Sequence, residues 1–273
     1  MTITFEEVAS RKRQRLPHSI EQTPKILEIV RAKQDWRNIA FNVHIVSQSV
    51  LCLGMLQARV DKDIDAALRT FSAGKVFAQE LIQLVEDGDK FPQQTLADIE
   101  KNREVVANFE LPIYCSLLLA DIDLAIRLAQ AQKTFKLTQE PGWFELNARL
   151  LGAFVLDDKV LFDSLLQSYN RLKLLYGQEL LGLYIKLYET VINRDKAQYE
   201  ALLIKASEDF KLRAKDKKLG DISPEYGSLV ENVFVLDFMA LGVAALANQR
   251  GMNADVDTEF FPQKLFKLIL ERK

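Results

Sequence analysis

The sequence predicts an all-α protein assembled from helical hairpins, on three observations. Apolar residues recur at helical spacing along most of the chain. Only 11 Gly and 7 Pro occur in 273 residues, too few for the many turns of a β-fold. Aspartates stand where one helical segment gives way to the next, the position from which a carboxylate caps free amides. A chain of this length with 48% hydrophobic residues can bury a sizeable core. We read 1–273 as a single helical domain with possible lobes at 1–140 and 141–273, its hairpins stacked into a two-lobed, partly repeat-like, solenoid-like bundle.

Taken in order, Thr23-Pro24 reads as a helix start, with Ile26, Leu27, Ile29 and Val30 following at helical spacing. Asp35 can cap the next helix, which runs through the uncharged segment between Arg37 and Arg59. That segment contains Asn38, Asn42, His44, Ser47, Gln48, Ser49 and Gln57, so it reads as a core helix and not as a membrane span. Asp61 or Asp63 restarts the chain into a helix that stops at Asp87-Gly88-Asp89. Further helices are expected over about 94–108 and from Leu111-Pro112 to about Gln132. Glu140-Pro141-Gly142 is the best break between the halves. A later helix is expected from about Pro224 to Gln249, stopped by Arg250-Gly251. An acidic loop and Phe260-Phe261-Pro262 then lead into a short terminal helix.

The C-terminal half contains a repeat. The stretch from Gly152 to Leu166 aligns with that from Glu189 to Leu203 at an offset of 37 residues. Each copy has an apolar helix end, a tight turn with Asp-Lys (Asp158-Lys159, Asp195-Lys196), an aromatic four positions after the Asp (Phe162, Tyr199) and then a Leu-Leu pair. An antiparallel hairpin stacked on its neighbour has this signature.

Patterns that would carry catalysis are missing. His18 and His44 have no His-x3-His or Cys-x2-Cys partner, so no metal and no cofactor is expected. Asp61-x-Asp63-x-Asp65 begins like a calcium loop, but Ala66 stands where the turn needs Gly and Ser72 where it needs Glu. Ser72-Ala-Gly74-Lys75 lacks the glycine spacing of a phosphate loop, and no G-x-S-x-G elbow occurs. The chain is therefore expected to bind and not to catalyse. A net charge of −2 and a pI near 5.9 argue against direct nucleic-acid binding. The basic runs Arg11–Arg15 and Lys211–Lys218 read as a solvated helix face and a helix C-terminus. The stretch Met1–Leu16 has no apolar signal core, and the two cysteines, Cys52 and Cys115, lie in apolar runs, so a cytoplasmic, reducing location is expected.

One segment exceeds generic helicity. It runs Asp237-Phe-Met-Ala-Leu-Gly242-Val-Ala-Ala-Leu246-Ala247-Asn-Gln-Arg250-Gly251, followed by Asp255-x-Asp257 and Pro262-x-x-Leu265. This order resembles the end of bacterial immunity protein family 49, most clearly over about 180–270, and the helix–turn–helix around Asn193-Arg194-Asp195 resembles the segment before it. The resemblance implies a protein that binds a cognate toxin tightly and neutralises it by occlusion, the toxin being a nuclease that acts in the cytosol. Acids at the expected turns, Asp121, Asp123, Asp157, Asp158, Asp255, Asp257 and Glu259, are the candidate contacts, matched to a basic toxin cleft. The alternative reading is a helical-repeat adaptor or scaffold that takes a peptide or partner protein in a groove.

Overall fold

The computed structural model describes residues 5–87, 103–136, 141–176, 182–215, 237–258 and 261–271, and all its regular elements there are helices. The helices are α1 (Phe5–Ala32), α2 (Trp36–Arg59), α3 (Ile64–Glu86), α4 (Arg103–Ala107), α5 (Glu110–Leu118) and α6 (Ile122–Lys133). They continue with α7 (Trp143–Val155), α8 (Lys159–Tyr176), α9 (Gly182–Ile192), α10 (Lys196–Lys215), α11 (Phe238–Gln249) and α12 (Gln263–Glu271).

One short device makes four of the six handovers that lie wholly within the described residues. At Gln34-Asp35, Ala120-Asp121, Asp157-Asp158 and Arg194-Asp195 the first residue is left-handed, with φ between 52 and 59°. The aspartate amide then bonds the carbonyl five residues back: Val30, Ser116, Ala153 and Thr190 in turn. That six-to-one closure ends the old helix. The same aspartate's carboxylate accepts from the amide three residues on, of Asn38, Leu124, Leu161 and Gln198, and so begins the new one. Lys62-Asp63 is a variant with one more residue in the turn. Four positions after each capping aspartate the side chain is buried: Ile39, Ala67, Ala125, Phe162 and Tyr199. A turn of this kind aims the new helix back along the old one, which is how the hairpins arise.

Three expected boundaries are corrected. The stretch 111–132 is two helices, because Ala120 is left-handed at φ 52° and Asp121 caps α6. Thr23-Pro24 does not start a helix; α1 runs through both Pro17 and Pro24. Proline removes the amide that would bond the Ile20 carbonyl, and the Thr23 hydroxyl donates to the Ser19 carbonyl at 2.7 Å. Within the expected helix from Pro224, α11 begins only at Phe238, since Asp237 holds a ψ of 81° as its N-cap. Residues 88–102, 137–140 and 216–236 lie outside the described part, and with them most of the expected 94–108 helix, Glu140 and the helix portion before Asp237.

Packing sets a group of helices around α2 beside a ring of four. α2 lies between α1 and α3 and also packs on α4 and α5. It is long and apolar enough to cross a membrane, yet 72% of its apolar window is buried inside the protein, the mark of a core helix. Beyond it, α5, α7, α9 and α11 pack successively and α11 returns to α5, so these four close a ring. α8 and α10 pack on their hairpin partners α7 and α9, and α6 packs on α5, α7 and α3. The ring draws helices from both sides of residue 140. Its closure depends on Gly242, where an added Cβ would stand 2.9 Å from the Tyr114 ring and 3.4 Å from Leu117.

Candidate functional site

The molecule offers three possible sites: the edge where the turns line up, the C-terminal segment, and the interior of the ring. At the turn edge, Asp121 caps α6 and meets Lys75 of α3 at 2.6 Å. Asp158 caps α8 and takes Lys133 at 2.8 Å; the Lys133 bond, followed by the Leu161 amide, holds its carboxyl below the usual range. Asp157, left-handed at φ 55°, takes Arg194 at 2.7 Å and Arg250 at 3.5 Å. Lys159 donates to Asn193 at 2.5 Å. The acids that the sequence offered as partner contacts at 121, 157 and 158 are thus already tied to cations of the same chain. Asp123 is exposed in the first turn of α6.

Arg250 is the centre of that edge. Its guanidinium donates to the Phe154 and Val155 carbonyls at 2.9 and 3.1 Å, capping the C-terminus of α7, and lies 5.3 Å from the Phe154 ring centre. Burial lowers its pKa, an effect that Asp157 opposes. The sequence marked Arg250 only as the basic end of its own helix. Gly251 follows at φ +77°, and the Met252 amide closes on Ala247.

The rest of the C-terminal segment is built as a unit with it. Asp237 is wholly buried, caps α11 through the Ala240 amide, and accepts the Tyr184 hydroxyl at 3.0 Å. After Gly251, Met252, Ala254 and Val256 point inward while Asp255 and Asp257 are exposed. Asp257 accepts from the Gln263 amide at 3.0 Å and Asp255 from its side chain at 3.2 Å, which anchors the loop to α12. Glu259 lies outside the described residues.

Inside the ring, Tyr114 of α5 and Tyr188 of α9 share a hydrogen bond between hydroxyls. Phe154 of α7 stacks on Tyr188 at 4.7 Å, and Phe238 of α11 meets Tyr114 edge-on at 5.3 Å. Burial pushes both tyrosines well above their ordinary pKa, and the nearby Glu110 carboxyl adds to the shift. Burial also raises Glu110, to about 7. The sequence reading passed over this cluster; the spacing of Tyr184 and Tyr188, four apart on one helical face, was its only trace.

Elsewhere, burial lowers His44 to a pKa of about 4, and its Nδ1 has no hydrogen-bond partner. Asp61 pairs with Arg13 at 2.5 Å, and Asp63 caps α3. Cys52 and Cys115 are buried and not joined in a disulfide. Among the described residues, no group of three or more His, Cys, Asp or Glu is placed to hold a metal ion. The fold and these features define an all-helical protein of stacked hairpins with a closed inner ring. No family model, curated protein or solved structure matches the chain.

Proposed function

We propose that this chain is an immunity protein, which binds a cognate bacterial toxin and blocks its substrate cleft. The observation that carries the reading is the C-terminal segment from Asp237 to Leu265, on which the sequence resemblance rests. Its buried residues anchor it to the ring, while Asp255 and Asp257 face outward on a loop pinned by Gln263. A pinned acidic loop loses little entropy on binding and meets a basic cleft with complementary charge. Asp123, also exposed, is a third contact in this scheme. Asp121, Asp157 and Asp158 contribute less, because intramolecular cations already offset their charge.

The alternative, an adaptor for an extended peptide, needs an open concave face. The inner faces of α5, α7, α9 and α11 are occupied by Tyr114, Phe154, Tyr188 and Phe238. Peptide capture would therefore have to use an outer surface.

The test is protection. A candidate toxin domain taken from the neighbouring genes is expressed in a sensitive cell with the full chain, with an Asp255→Lys/Asp257→Lys double variant, or with neither. Survival with the native chain, reduced survival with the double variant, and a complex on gel filtration are expected. Continued killing despite good expression of the folded native chain overturns the reading.

A further inference from the structure

We propose that the groove between α1 and α3 docks a cationic amphipathic helix of a partner protein. α1 and α3 both pack on α2, and residues of α1 and α3 line two hollows between them, with Trp36 and Ile39 of α2 at one end. The hollows, of about 250 and 400 Å³, make up the groove and share Arg31 and Glu80. From Pro24 to Ala32 on one wall and from Val76 to Leu84 on the other, each wall is about 12 Å long at 1.5 Å per residue, two to three turns of a helix.

The lining has the two characters that such a helix needs. Leu27 and Phe77 form an apolar floor, and Val76 stands 60% exposed on the rim, a large apolar side chain left to solvent. An apolar helix face laid there would cover Val76 and displace water from the floor. The charged lining is acidic on balance. Glu28, Glu80 and Asp87 outnumber a single cation, Arg31, which is itself paired with Glu80 across the groove. Complementarity therefore selects lysine or arginine along the flanks of the docked helix. An acidic helix would meet the negative excess that Glu80 and Asp87 give the α3 wall. This surface is distinct from the Asp255–Asp257 loop, and the inference stands whether or not the partner is a toxin.

The experiment uses the full chain and a dye-labelled 14-residue peptide with Leu at helical i, i+3, i+4 spacing and Lys elsewhere, followed by fluorescence anisotropy. Saturable binding is expected, with at least tenfold weaker affinity for Val76→Lys. Val160→Lys makes the same charge change at an 83% exposed site on α8 and should leave affinity within twofold. Glu28→Lys, on an exposed rim residue, should weaken binding severalfold and serves if Val76→Lys fails to fold. A companion peptide with Glu in place of Lys should not bind. No binding of the Leu/Lys peptide, equal loss in Val76→Lys and Val160→Lys, or equal binding of the Glu peptide overturns the proposal.

Discussion

Arg194 reaches back 37 residues to hold Asp157, with 2.7 Å between guanidinium and carboxylate. The two occupy the same place in consecutive turns, each being the left-handed residue before a capping aspartate. The repeat thus places unlike charges at equivalent positions and uses them to fasten one hairpin to the next. Arg250 joins the same carboxylate from a third helix end.

Arg250 should matter more than the exposed Arg194–Asp157 pair. It serves two carbonyls, a ring face and Asp157 from a mostly buried position. Arg250→Ala is expected to lower the unfolding free energy by about 2 kcal/mol in urea titration. Arg250→Lys should recover less than half of that, since an ammonium lacks the planar fork. Asp157→Asn should cost under about 1 kcal/mol, as is usual for exposed pairs.

Lys62 adopts φ 56° in an exposed turn, a conformation that costs a side-chain-bearing residue about 1 kcal/mol or more. Lys62→Gly is expected to raise stability by about 0.5–1 kcal/mol, and Lys62→Val to lower it. Thermal unfolding of the two variants reads the difference. A glycine variant less stable than the native chain would contradict the left-handed assignment.

Glu110 should make the ring sensitive to pH. Its folded pKa of about 7 lies above the ordinary 4.5, so the folded state holds the proton more tightly. Stability from this group is complete below about 4.5 and is lost as pH rises to about 7. His44, lowered from 6.5 to about 4, works in the opposite sense, its contribution being present above 6.5 and lost as pH falls to 4. The two slopes oppose each other between 4.5 and 6.5, so the native curve alone will be shallow there. Glu110→Gln relative to native should gain about 2 kcal/mol between pH 4.5 and 7, then stay level. Urea titrations across that range measure it, and a constant difference would show that Glu110 does not titrate there.

Gly242 and Gly54 test close approach. A Cβ on Gly242 would meet the Tyr114 ring at 2.9 Å, and one on Gly54 the Phe71 ring at 2.3 Å. Both Gly→Ala variants should destabilise by about 1–3 kcal/mol despite the better helix propensity of alanine. Gly142→Ala, with nothing within 4 Å, is the matched control and should change stability by under about 1 kcal/mol.

Much of the architecture was legible locally. The capping aspartates at 35, 158 and 195 and the Gly251 stop stand where the sequence indicated, and Asp63 is the one of the pair Asp61 and Asp63 that caps α3, because a cap is a contact between neighbours in the chain. The break at Ala120 was not legible. Its left-handed residue is an alanine that ends the apolar run Leu117-Leu118-Leu119, and only Asp121 and Asp123 after it mark the turn. Of the candidate contacts, the exposure of Asp255 and Asp257 could be read from a polar loop, whereas the cations beside Asp121, Asp157 and Asp158 come from helices far away in sequence.

The sequence by itself determined that the chain is all-helical, where most helices hand over, and that two consecutive hairpins share one turn. Those features follow from local hydrogen bonds and the period of apolar side chains. Only the tertiary structure decided that α11 returns to α5, that tyrosines fill the ring, and that α1 and α3 line hollows between them. Each of these depends on which apolar face meets which. Helical periodicity shows that a face will be buried, but its partner is selected by shape, at points such as Gly242 against Tyr114.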